Sequence, residues 1–77
     1  MNKICSLTDL EVGQKGQVKQ LCMLGSIRRR LQDIGVIEGT CIECVLRSPG
    51  NDPVAYQIKG AIIALRNEDS KKIIVSV

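Results

Sequence analysis

One segment of this chain repeats with the period of a helix, and the sequence around it repeats with the period of strands. From Ser26 to Ile34 the apolar residues Ile27, Leu31 and Ile34 fall at i, i+4 and i+7, which is a single apolar stripe on an α-helix. Ser26 stands where a hydroxyl can cap the first turn, and Gly35 stands where a left-handed stop is needed. A helix of two to three turns is marginal alone in water, so it must pack on the rest of the chain. That constraint turns a string of short strands into one small domain.

The strands read as follows. Leu7 and Leu10 form a short apolar turn over one end of the core, and Gly13 and Gly16 lead into a first strand spanning Gln17 to Leu24. From Thr40 to Arg47 the sequence alternates, with Ile42, Cys44 and Leu46 predicted on the inner face. Ser48-Pro-Gly-Asn-Asp-Pro53 is dense turn chemistry. Val54, Tyr56 and Ile58 form the next inward set, and Gly60 permits a tight reversal. Ala61 to Leu65 is nearly all apolar and is predicted to be covered on both faces. Asn67 is placed to cap one helical turn through Ser70, and Ile73, Val75 and Val77 make a last strand. The expectation is mainly β: a small barrel of about five antiparallel strands that hide one another's edges, with one inserted helix and a C-terminal helical turn.

Seventy-seven residues make one domain, 1–77, with 44% hydrophobic residues for its core. Tyr56 is the single aromatic residue, which counts against stacking platforms for single-stranded nucleic acid and against proline-recognising grooves. No apolar run reaches the length of a membrane span, and the N-terminus lacks the apolar stretch of a secretory signal. The expected compartment is the cytoplasm, with the four cysteines as reduced thiols. The net charge of +3 suits an acidic partner surface but falls short of a dedicated DNA binder.

Catalysis fails on inventory. The chain has no histidine, no phosphate-cradling loop and no carboxylate pair held by helical spacing. Cys41-Ile-Glu-Cys44 has the spacing of a zinc or redox motif, but on an alternating strand it sends its two thiols to opposite faces. No catalytic residue, metal ligand or cofactor is therefore assigned. Arg28-Arg29-Arg30 is the one charge cluster. Arginine pairs bidentately with carboxylates and is enriched at protein interfaces, so the cluster suits an acidic protein partner. The candidate contact surface is Met23, Leu24, Arg28, Arg29 and Asp33, with Asn51 and Asp52 of the turn. Met23 and Leu24 are included as an apolar pair expected to stay exposed where strand meets helix.

Leu7 and Leu10 before Gly13 and Gly16, then Arg30-Leu31, Asp33, Gly35, Gly39-Thr40, Pro49, Asp52-Pro53, Gly60 and Leu65-Arg66 form an ordered pattern through nearly the whole chain. In this pattern the chain resembles the FeoA family, small accessory proteins of bacterial ferrous-iron transport. The chain departs from that pattern at Asn51, which takes a glycine position, at Glu38 in place of a common proline, and at Ser70 in place of a small apolar residue. The resemblance implies an SH3-like barrel with a helical insertion. It implies a non-catalytic regulator that docks on the cytosolic part of an FeoB-type iron permease at the inner face of the membrane. A monomer or weak homo-oligomer is expected. The same barrel occurs as the C-terminal module of metal-responsive DtxR-type repressors. Two rival readings are a small nucleic-acid-associated barrel and a metal-responsive assembly in which Cys41 thiols of two protomers share zinc.

Overall fold

The computed structural model describes residues 3–77. Six strands run in chain order: β1 (Ile4–Ser6), β2 (Lys15–Leu21), β3 (Cys41–Arg47), β4 (Val54–Ile58), β5 (Ala61–Leu65) and β6 (Ile73–Ser76). Helix α1 (Ser26–Asp33) joins β2 to β3, and the single turn α2 (Asn67–Ser70) joins β5 to β6. All pairings are antiparallel, in the spatial order β1-β6-β2-β3-β4-β5. The strand the sequence did not announce is β1, three residues that pair with β6 from Ile4↔Ser76 to Ser6↔Ile74. Strands β1 and β5 do not pair with each other, so the sheet keeps two edges.

Two bulges decide which side chains face inward. In β2 the register against β6 shifts between Val18 and Gln20. The inner frame therefore changes from Gly16 and Val18 to Leu21 and Met23, which is why alternation in this segment looked imperfect. In β3 the register against β4 shifts between Cys44 and Leu46. Ile42 and Cys44 remain buried, but Leu46 is turned to the outer face and is 64% exposed, contrary to the alternation read from the sequence. The same shift brings Arg47 to the inner side. Its guanidinium donates to the carbonyls of Thr8 and Leu10, fastening the short 3-10 turn Leu7–Asp9 to the sheet.

One apolar cluster fills the inner face. It takes Leu7, Leu10, Val18, Leu21, Met23, Leu31, Val36, Ile42, Cys44, Val54, Tyr56, Ile58, Leu65, Ile73 and Val75. At Gly16 a side chain would meet Val75 at 3.0 Å, so the close β2–β6 approach favours glycine there. Helix α1 is capped by Gly25 and makes no side-chain cap; Ser26 is its first residue. It ends in a Schellman motif. Gly35, at φ 106°, donates to Gln32, Val36 donates to Leu31, and the buried pair Leu31–Val36 packs beneath.

Strand β5 is not covered on both faces. Ala61, Ile62 and Ala64 are exposed, and only Leu65 is buried. An all-apolar run reads as a buried central strand, but this one lies at the sheet edge.

Candidate functional site

The predicted surface divides into parts that gather at the start of α1 and parts that do not. Leu24 lies just after β2 and is 85% exposed, the most exposed of the large apolar side chains among the described residues. Met23, predicted to join it on the surface, is buried, because the β2 bulge puts it in the inward frame with Leu21. Arg28 is half-buried, and its Nη1 donates to the carbonyls of Leu21 (2.9 Å) and Met23 (3.3 Å). Its charge is thus used to hold the turn that presents Leu24, and its stem lies along the core. Arg29 and Asp33 are exposed and lie four residues apart on one face of α1.

Asn51 and Asp52 are tied to α2. The Oδ1 of Asp52 accepts from the backbone N–H of Asn67 (3.0 Å), and the Nδ2 of Asn67 donates to the carbonyl of Asn51 (2.7 Å). The turn is therefore fastened to the start of α2, where Asp52 satisfies a helix donor from across the loop. Asn51 holds φ 63°, which asparagine tolerates, so the departure from glycine there leaves the turn intact.

Sequence reasoning missed a second surface. Between α1 and β5 runs a groove of about 290 Å³ lined by Ile27, Leu31, Ile34, Ile63 and Leu65, with Arg30 and Arg66 at its rim. Ile27, Ile34 and Ile63 are half-buried. The uncharged run Ala61–Leu65 was the available signal, but periodicity alone does not say whether such a strand is central or at an edge.

The thiols behave as their strand positions require. Cys44 is buried and Cys41 exposed, on opposite faces of β3. Burial pushes the Cys44 thiol above its ordinary range, against the lowering effect of the Arg47 charge. Burial likewise raises the Tyr56 phenol. The Tyr56 hydroxyl finds no partner in hydrogen-bond geometry; the neighbouring Ser70 hydroxyl lowers the phenol only in part and is directed to the Arg66 carbonyl (3.2 Å). Among the described residues no group of three or more His, Cys, Asp or Glu side chains is placed to hold a metal ion. No helix among them is long and apolar enough to cross a membrane.

These features define a small, mainly β domain of six antiparallel strands, with an exposed leucine at the start of a basic helix. The FeoA domain family matches residues 5–77, and the chain belongs to that family. It is 32% identical over 71 residues to the Fe(2+) transport protein A/Fe(2+) transporter FeoB fusion protein of Porphyromonas gingivalis, covering 92% of this chain and 8% of that protein. The chain thus spans a small fraction of the length of that relative. An FeoA-like protein from Clostridium acetobutylicum superposes with a TM-score of 0.88 at 31% identity, covering 100% of this chain and 90% of the other. The FeoA of Stenotrophomonas maltophilia, solved with zinc and described as a procaryotic SH3 domain protein, gives a TM-score of 0.81 at 27% identity, covering 91% and 87%. The SH3-like fold expected from the resemblance is the fold observed, with six strands in place of about five.

Proposed function

We propose that the chain is a non-catalytic accessory domain of ferrous-iron uptake that docks on the cytosolic part of an FeoB-type permease. The observation that carries this reading is Leu24, 85% exposed at the start of a basic helix, on a turn that Arg28 bonds through the carbonyls of Leu21 and Met23. An apolar anchor beside a free arginine is the composition of an interface hot spot. The docking surface is Leu24 with Arg29 and Asp33. Arg28 acts by positioning Leu24, Met23 belongs to the core, and Asn51 and Asp52 act by holding the adjacent fold. The Porphyromonas gingivalis relative, in which a domain similar to this chain is joined covalently to FeoB, supports the choice of partner. The partner surface is acidic with an apolar recess, which complements the arginine and the leucine. Co-purification with detergent-solubilised FeoB tests the reading. Leu24→Asp combined with Arg29→Glu is expected to abolish capture while leaving the fold intact. Capture that survives both substitutions would remove the α1 surface from consideration.

A further inference from the structure

Strand β5 ends the sheet without the devices that keep an edge from pairing. Its residues Ala61 to Leu65 include no charge, no proline and no bulge, and its register with β4 is unbroken through five pairs. Lys59 and Gly60 form the two-residue turn of the β4–β5 hairpin, with φ 48° and 83°. That turn makes Ile58↔Ala61 a hydrogen-bonded pair, and alternation makes Tyr56↔Ile63 and Val54↔Leu65 the next two. The N–H and C=O groups of Ile62 and Ala64 consequently point away from β4, the only strand beside β5, and no turn or loop hydrogen bond among the described residues uses them.

We propose that this edge is a self-association site, at which β5 of a second copy of the chain pairs antiparallel with β5 about a two-fold axis through Ile63. The register follows from the free groups. A two-fold at Ile63 sets Ile62 opposite Ala64 of the second copy, and Ala64 opposite its Ile62. Each is a hydrogen-bonded pair, so all four outward groups of each edge are satisfied.

The side chains agree with that register on both faces. On the outer face Leu46, Ala55 and Ala64 form one cross-strand row, and Ile62, 68% exposed, lies in the next; the pairing continues this apolar surface into the same residues of the copy. On the inner face the two Ile63 side chains meet beside the half-buried Ile27 and Ile34 of the groove. In the same register the exposed Lys59 and Gly60 of the hairpin tip lie opposite Asn67 and Arg66 of the copy, so charged groups fall only at the two ends of the pairing and its middle is wholly apolar. A five-residue strand pair buries less than the roughly 800 Å² per partner of a durable complex, so the dimer is weak and concentration-dependent.

Two readouts on the full chain test this. Sedimentation equilibrium from about ten micromolar to about one millimolar, a range suited to a small interface, is expected to show the 8.4 kDa monomer giving way to a species of twice that mass. Over the same range, NMR amide exchange at Ile62 and Ala64 is expected to slow at least tenfold, while Ala61 and Ile63, already bonded to β4, change little. Ile62→Lys is expected to weaken association at least tenfold, and Ile4→Lys on the opposite edge to leave it unchanged. A monomer throughout the range would overturn the proposal. So would a dimer that leaves the Ile62 and Ala64 amides unprotected, or one that Ile4→Lys disrupts and Ile62→Lys does not. The result is separable from the FeoB reading, since Ile62→Lys leaves Leu24 and Arg29 in place.

Discussion

Strands β1 and β5 are the two edges of one sheet, and the chain treats them differently. Strand β1 is three residues long and is tied down from several directions. Lys3 exchanges backbone bonds with Val77, the Ser6 N–H is taken by the Asp9 carboxylate, and the Ser6 hydroxyl donates to the Lys71 carbonyl. Behind it, Arg47 holds the 3-10 turn through Thr8 and Leu10. Strand β5 is longer, wholly apolar and bonded on one side only. An edge that is short and polar-tied ends a sheet; one that is long, flat and apolar invites another strand. The contrast sets a secured edge on the β1 side against an unsecured one on the β5 side.

Among changes that only remove hydrogen bonds, the largest expected effect comes from releasing the secured edge. Arg47→Met keeps the stem but removes a guanidinium bonded to two carbonyls, and hydrogen bonds to charged groups contribute about 1.5–3 kcal/mol. Urea unfolding is expected to show a loss of that size, with faster amide exchange in β1 and unchanged exchange at Ala61 and Ile63. Equal acceleration at both edges would mean that the β1 side carries no special anchorage. A smaller loss, about 1 kcal/mol, is expected from Asp52→Ala, which leaves the first donor of α2 without its acceptor. Asp52→Asn, which keeps an acceptor oxygen, is expected to recover most of it.

Tyr56 gives a change of opposite sign. Its hydroxyl is buried without a partner, so Tyr56→Phe is expected to raise stability by about 1 kcal/mol at neutral pH. The pH dependence follows from the raised Cys44 thiol and Tyr56 phenol. In the unfolded chain a thiol loses its proton near pH 8.5 and a phenol near about pH 10, whereas burial holds both protons in the fold. The associated stability is fully present below that range and falls as pH climbs through it. Thermal melts from neutral pH to about pH 11 are expected to show this decline, with the phenol's share, which appears above about pH 10, missing in Tyr56→Phe. A melting point that rises with pH across the range would contradict the burial of these groups.

Much of this architecture was legible in the residues, and the failures share one cause. The α1 stripe, the Gly35 stop, the inward sets Ile42–Cys44 and Val54–Tyr56–Ile58, and the splitting of Cys41 from Cys44 all follow from local period, and all appear in the fold. The misplaced residues lie beyond a bulge or at an edge. A single inserted residue exchanges every later side chain between faces, so Met23 went inside and Leu46 outside. Strand β1 is too short to show a period, and β5 looks internal because apolar content does not report how many neighbours a strand has. At the candidate site, the sequence indicated the basic helix but not the division of labour within it. That Arg28 turns back to carbonyls of its own chain while Arg29 stays free is decided by the path of β2 into α1.

The smallest expected effect is also the sharpest test of how the edges differ. Ile62 is 68% exposed and its backbone groups point away from β4, so Ile62→Lys removes little packing and no hydrogen bond of the isolated chain. Unfolding at low protein concentration is expected to move by no more than about 0.5 kcal/mol. The same charge placed on the inner face of β5, in Leu65→Lys, would bury an ammonium among Val54 and the core and cost several kcal/mol. The two substitutions, three residues apart on one strand, therefore separate the face that holds the barrel together from the face and edge left available. If Ile62→Lys destabilised the dilute chain as much as Arg47→Met does, Ile62 would be part of the barrel's own packing and β5 would not be a free edge.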